Sequence, residues 1–200
     1  TDMYYQYAPF FSEFQYKLKL GGSLLYSWDI GMGVNFSALY AYYLASPVNW
    51  LIILCPKKFI IEFMTILIMV KTGLCGVTFT WYLDHHFEKK HFVAGVFGIF
   101  YALSGYMAAY SWNIMWLDCI FLLPLILYGL EQLVQEKKGL FYCVTLGLSI
   151  LSNYYISIMI CIFMVMYVIM QVILNPPKGV KELAATGVRF GFYSLLAGGL

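Results

Sequence analysis

The stretch FIIEFMTILIMVKTGLCGVTFTWYL, residues 59 to 83, decides the fold. A helix crosses a bilayer in about 20 residues, and this run exceeds that length with only Glu62 and Lys71 charged. Outward from it, similar apolar runs cover Phe92 to Tyr110, Met115 to Val134, Leu140 to Leu151 with its flanks, and Tyr154 to Leu174. Another starts near Gly187. The connections are short, which predicts antiparallel neighbouring helices. Composition agrees. Of 200 residues, 62% are apolar or aromatic and 11% are charged, against about 25% charged in soluble domains. Mean hydropathy is +0.77. The expected fold is an all-α polytopic membrane protein. Residues 59–200 form a helical bundle of five complete spans and a truncated sixth, preceded by a distinct segment, 1–58. Soluble enzyme folds are excluded. A net charge of +2 and charge-poor loops also give no field to hold nucleic acid. The chain starts at Thr1 and stops inside an apolar run, so it is expected to be a piece of a longer protein.

The loops predict orientation. Residues 84–91 carry Lys89 and Lys90, 131–139 carry Lys137 and Lys138, and 175–189 carry Lys178, Lys181 and Arg189. Residues 111–114 and 152–153 carry no Lys or Arg. Basic loops stay in the cytoplasm, so residues 1–58 are expected outside it. The non-basic loops are aromatic and polar, with Tyr106, Tyr110, Trp112, Asn113 and Trp116 at one and Asn153, Tyr154 and Tyr155 at the next. Two readings are open: a belt at headgroup depth, or a platform on which a sugar or lipid stacks.

Within residues 1–58, Tyr4, Tyr7, Phe11, Phe14 and Leu18 recur at helical spacing. Ser12, Glu13, Gln15, Lys17 and Lys19 take the opposite face, which is expected to be solvated, and Gly21-Gly22 supplies a stop. Such a helix lies along the bilayer, beginning near Pro9. The loop Tyr26 to Asn35 lacks the glycine spacing of a nucleotide loop. Phe36 to Leu54 is apolar but interrupted by Pro47 and Asn49, which predicts two short interfacial or re-entrant pieces.

Few residues carry chemistry. Lys71 falls mid-span, about 18 Å from either end at 1.5 Å per residue. A lysine there costs at least about 2.5–3.5 kcal/mol, so it should face protein or water. It is open to three readings: phosphate counter-ion, ion-coupling group, or partner of a buried acid or carbonyls. Asp118, just inside the membrane edge, either binds a cation or pairs. Asp2 reads as an N-cap or an exposed acid, and Glu62 as an acid favouring the helix dipole. His85, His86 and His91 lack zinc spacing and read as loop residues. The five cysteines are scattered and form no C-x-x-C pair.

Several words together add a family. Asp2-Met-Tyr-Tyr-Gln-Tyr-Ala-Pro-Phe-Phe, Leu24-Leu-Tyr-Ser-Trp, Gly31-Met-Gly-Val-Asn-Phe and Ala41-Tyr-Tyr-Leu-Ala-Ser-Pro-Val-Asn49 resemble the YfhO family of bacterial membrane proteins. So do Ser104-Gly-Tyr-Met, Trp112-Asn-Ile-Met-Trp-Leu-Asp118 and Ser152-Asn-Tyr-Tyr155. The resemblance implies a GT-C type glycosyltransferase fold, with the key acid of the first outer loop at Asp2. It implies transfer of a sugar from a polyprenyl-phosphate donor to a cell-surface glycopolymer such as teichoic acid, on the outer face of the cell membrane. Under it Asp2 is the general base or, alternatively, a ligand for a divalent metal. The cofactor stays open, and no cluster of metal ligands is expected. Tyr5 and Gln6 flank the acid. Trp28, Asn35, Trp112, Asn113, Asn153, Tyr154 and Tyr155 are expected to hold sugar or acceptor, with Trp116 and Asp118 beside them. Lys71 is the expected positive charge for the phosphate. The competing class is a lipid-linked sugar flippase or ion-coupled transporter, built on Lys71 with Gly73 and Gly76 in a polar helix, whether continuous or broken. A non-catalytic assembly subunit is the third.

Overall fold

The computed structural model describes residues 2–87, 92–177 and 179–199; Thr1, Glu88, Lys89, Lys90, His91, Lys178 and Leu200 lie outside them. The chain starts with a π-helical turn, Met3–Tyr7, that runs directly into α1, Ala8–Leu20. The helix therefore starts well before Pro9, where a start was expected, and the wider π turn relieves the Pro9 ring against the carbonyl four residues back. Gly21, at φ 68°, ends α1 by returning its N–H to the Lys17 carbonyl.

A small hairpin, β1 (Tyr26–Ser27) against β2 (Val34–Asn35), turns the chain. The next arm is α2 (Phe36–Leu39) continued by a π turn, Tyr40–Leu44. After a 103° bend follows a 3-10 helix, Pro47–Leu54. The first arm runs back along α1: Phe36 lies 5.1 Å from the Lys17 ammonium, Tyr40 5.4 Å from Phe14, and Tyr43 5.6 Å from Tyr7. The second arm returns. Trp50 packs on Phe14 at 5.7 Å, and Gln15 donates to the carbonyls of Ile52 and Cys55 at 2.8 and 2.7 Å. Both arms therefore start and finish at the same end of α1, the geometry of a re-entrant hairpin, with Ser46 at its tip.

After a 3-10 turn, Lys57–Phe59, come α3 (Ile60–His86), α4 (Phe92–Ala102), α5 (Gly105–Tyr110), α6 (Ile114–Gln135), α7 (Leu140–Ser152), α8 (Tyr154–Leu174) and α9 (Val180–Gly198). The protein is an all-α, multi-pass membrane chain. Among the described residues four helical stretches are long and apolar enough to cross: Lys57–His86, Phe92–Tyr110, Ile114–Gln135 and Tyr154–Leu174. That corrects the expected five. α7 has 13 residues, about 20 Å against a core of about 30 Å. The last helix begins at Val180 rather than near Gly187, so Lys181 and Arg189 are helical, and Glu131 belongs to α6 rather than to a loop. Pro124 sits inside α6 and leaves the Ile120 carbonyl without its helical donor; the Tyr101 hydroxyl supplies one at 2.8 Å. α3 and α4 meet through glycine: a Cβ on Gly98 would stand 2.7 Å from the Gly76 carbonyl oxygen.

Two cores hold the chain. One joins α6, α7 and α8 through Leu122, Ile126, Leu130, Tyr142, Leu146 and Met164. The other joins the first segment to the heads of α3 and α6, through Tyr7, Phe11, Phe14, Phe36, Leu44 and Ile52 against Ile60, Met64, Leu67, Ile114 and Met115. Each fully buried side chain of this kind contributes about 1.5–3 kcal/mol. The stripe on α1 forms as expected, except that Tyr4 is exposed. The opposite face is a correction: Gln15 and Lys17 are buried. The hairpin folds over that face, so Lys17 donates to the carbonyls of Ser23 and Tyr26 at 2.9 and 2.8 Å. Glu13 accepts from the Ser27 hydroxyl at 2.6 Å.

Candidate functional site

α3 and α6 lie parallel, since Lys71 meets Asp118 and, further along, Tyr82 meets Glu131. Lys71 is eleven residues into α3 while Asp118 is only four into α6, about 16 Å against about 6 Å of rise. α3 thus overshoots α6 by about 10 Å, and the stretch Lys57–His86, 30 residues, is longer than a crossing needs. Lys71 is mid-helix but sits just beneath the first segment. Its ammonium is fully buried, 2.5 Å from Asp118 Oδ2 and 3.3 Å from the Ile114 carbonyl oxygen. Ser46, at the re-entrant tip, donates to Asp118 Oδ1 at 2.7 Å. Of the readings open for these residues, the geometry is that of a mutual pair, in which each charge neutralises the other.

Above this pair, four separate stretches converge at one end of the bundle. Asp2 stands exposed at the head of the Met3–Tyr7 turn, in helical conformation, and its carboxylate caps nothing. One turn on, Gln6 donates to the Tyr43 hydroxyl at 3.0 Å. The Tyr7 hydroxyl donates to Asn113 Oδ1 at 2.9 Å. Burial first, then the neighbouring Tyr43, Tyr42 and Asp2, holds the Tyr7 phenol well above its usual range, so it stays a neutral donor. Asn113 is buried, and its amide nitrogen has no partner. The Trp116 indole N–H is turned toward the Tyr42 hydroxyl. A buried donor left unmade costs about 1–3 kcal/mol, so the Asn113 amide is prepared for an oxygen from outside the chain.

Aromatic faces surround them. Trp116 stacks on Tyr155 at 6.4 Å, Tyr42 meets Tyr154 at 5.8 Å, and Trp112 lies 6.4 Å from Tyr7. Asn153 holds the group together instead of facing outward. Fully buried, it caps α8 through the Ile156 N–H at 3.0 Å and donates to the Tyr42 carbonyl at 3.1 Å. Tyr5 is exposed beside Asp2. Trp28 and Asn35 are elsewhere: the hairpin that carries them is tied to Lys17, about 20 Å along the helix from Asp2. Trp28 packs on Tyr26 at 4.8 Å and Asn35 caps α2. Tyr7, Tyr42, Tyr43 and Ser46 were not singled out as site residues by the sequence. Their only signals are the helical stripe for Tyr7 and the family words for the other three.

A comparison with protein families decides the relationship. The family described as bacterial membrane protein YfhO matches residues 1–200. The chain belongs to the YfhO family. No curated protein and no solved structure matches it. Four of the seven words that carry the family resemblance, residues 2–11, 41–49, 112–118 and 152–155, are stretches that the fold brings together. Among the described residues of this YfhO chain, no three His, Cys, Asp or Glu side chains gather as a metal site. Asp118, the acid nearest to the group in sequence, is taken by Lys71 and Ser46.

At the other end of the bundle lies a second buried acid. Glu131 accepts from Tyr82 at 2.8 Å, from Tyr167, and from His86 Nδ1 at 2.9 Å. His85 instead bonds the Trp81 carbonyl at 2.7 Å. Both histidines are thus part of α3 rather than loop residues.

Proposed function

We propose that this chain is part of a membrane glycosyltransferase of GT-C type. It moves a sugar from a polyprenyl-phosphate donor to a teichoic-acid-like polymer at the outer face of a bacterial cell membrane. The supporting observation is a free carboxylate, Asp2, at the head of an aromatic surface with an unmet buried donor, the Asn113 amide.

Asp2 takes the proton of an acceptor hydroxyl as that oxygen bonds the anomeric carbon. The bond from that carbon to the phosphate oxygen breaks, and its electron pair leaves on the polyprenyl phosphate. A single displacement inverts the anomeric centre. General-base assistance of this kind is worth about 10²–10⁴-fold. Trp116 with Tyr155, and Tyr42 with Tyr154, offer flat faces for a sugar ring, and the Asn113 amide offers a donor for one of its oxygens. As the one acid of this group not already paired, Asp2 suits the base role, and it would also be the residue to hold a divalent cation.

The test is Asp2→Asn in the full-length protein, which keeps the size and removes the charge. Surface sugar should fall by about 100-fold or more at normal protein abundance, while lipid-linked sugar accumulates outside. Undiminished transfer rejects the assignment. The transport reading is built on Lys71, Gly73 and Gly76; α3 runs unbroken through all three and Lys71 is paired with Asp118, which favours the transfer reading.

A further inference from the structure

With Lys71 neutralised by Asp118, the leaving phosphate needs another positive group. A groove of about 340 Å³ opens between the head of α1 and the head of α3, with Tyr4, Pro9 and Ser12 on one wall and Lys57, Lys58 and Ile61 on the other. Both lysines are exposed and neither forms an ion pair among the described residues. Lys58 rests over the Phe59 ring at 4.7 Å. They stand where the first span begins, the depth of lipid headgroups, and the positive end of the α3 dipole adds to their charge. Ile61, an exposed aliphatic side chain, lines the same groove one turn further along α3. Tyr4, on the opposite wall, is two residues from Asp2.

We propose that this groove is a binding site for the phosphate head of a membrane lipid. Lys57 and Lys58 take the phosphate oxygens, and the lipid tail runs down the aliphatic surface at Ile61. The inference rests on the glycosyltransferase reading in one respect only: that reading supplies a leaving phosphate that needs a positive group. The charge arrangement argues for it independently. Two unpaired cations at the membrane edge attract an anionic headgroup, each contributing about fivefold in affinity.

The test uses the full-length protein in neutral phosphatidylcholine nanodiscs, with bound lipid counted by native mass spectrometry. Decaprenyl phosphate, phosphatidylglycerol and inorganic phosphate are titrated separately. Lipid binding should weaken about fivefold in Lys57→Gln or Lys58→Gln, about 25-fold in the double variant, and hardly at all in Lys57→Arg/Lys58→Arg. The arginine pair guards against misfolding as the cause. Tighter binding of decaprenyl phosphate identifies the donor lipid as the source, and equal binding of phosphatidylglycerol identifies the bulk headgroup. Unchanged affinity in the double glutamine variant overturns the proposal, as does displacement of the lipid by inorganic phosphate at equal concentration. Asp2→Asn should bind lipid normally, so failure of this inference and failure of the catalytic assignment are read separately.

Discussion

Asp118 and Glu131 are both buried carboxylates of α6, one near each end, and they are neutralised in different ways. Asp118 is 1% exposed and faces a fully buried lysine, with a serine from the re-entrant tip on its other oxygen. Glu131 is 5% exposed and faces tyrosine hydroxyls and a histidine at the last turn of α3. The first is a fixed charge pair that joins the first segment to the bundle. The second is a hydrogen-bonded cluster joining α3, α6 and α8 without a permanently charged partner. The difference teaches that the end beneath Asp2 is locked by Coulombic pairing, while the far end is held by hydrogen bonds from two tyrosines and a histidine.

Breaking the pair should give the largest effect. Lys71→Met leaves Asp118 buried and alone, at a cost of about 3–5 kcal/mol, whereas Lys71→Met/Asp118→Leu should recover most of the loss. Unfolding of the detergent-solubilised protein measures both. A double variant as unstable as the single would mean that the tip contact, not the charge pair, dominates. Glu131→Leu should cost less, about 2 kcal/mol, because Tyr82 and Tyr167 keep one another at 3.0 Å. A loss equal to that of Lys71→Met would erase the contrast. Tyr101→Phe gives the smallest change. Between the two acids, it only strips the Ile120 carbonyl of its substitute donor, about 1 kcal/mol.

Much of this architecture is legible in local pattern. The span at residues 59–83, the glycine stop after Leu20 and the interruption at Pro47 each follow from a few adjacent residues. α7 misled because it is as apolar as a span yet only 13 residues long. Gln15 and Lys17 misled because periodicity reports which face is polar, not what later folds over it. The candidate site was readable as types of residue, aromatic and polar at two loops. Its membership was not: Asn153 is spent internally and Trp28 lies at the wrong end of α1, while Tyr7, Tyr42 and Tyr43 belong.

The sequence by itself determined that this is a multi-pass helical membrane chain, and its words carry the YfhO family. Partition between lipid and water acts residue by residue, and helical hydrogen bonds close within four residues, so both leave their record in short windows. Only the tertiary structure decided that Lys71 belongs to Asp118, 47 residues away, and Tyr7 to Asn113, 106 residues away. Such contacts depend on how far α3 overshoots α6 and on where the re-entrant tip descends. Helix packing sets both, and no local propensity encodes them.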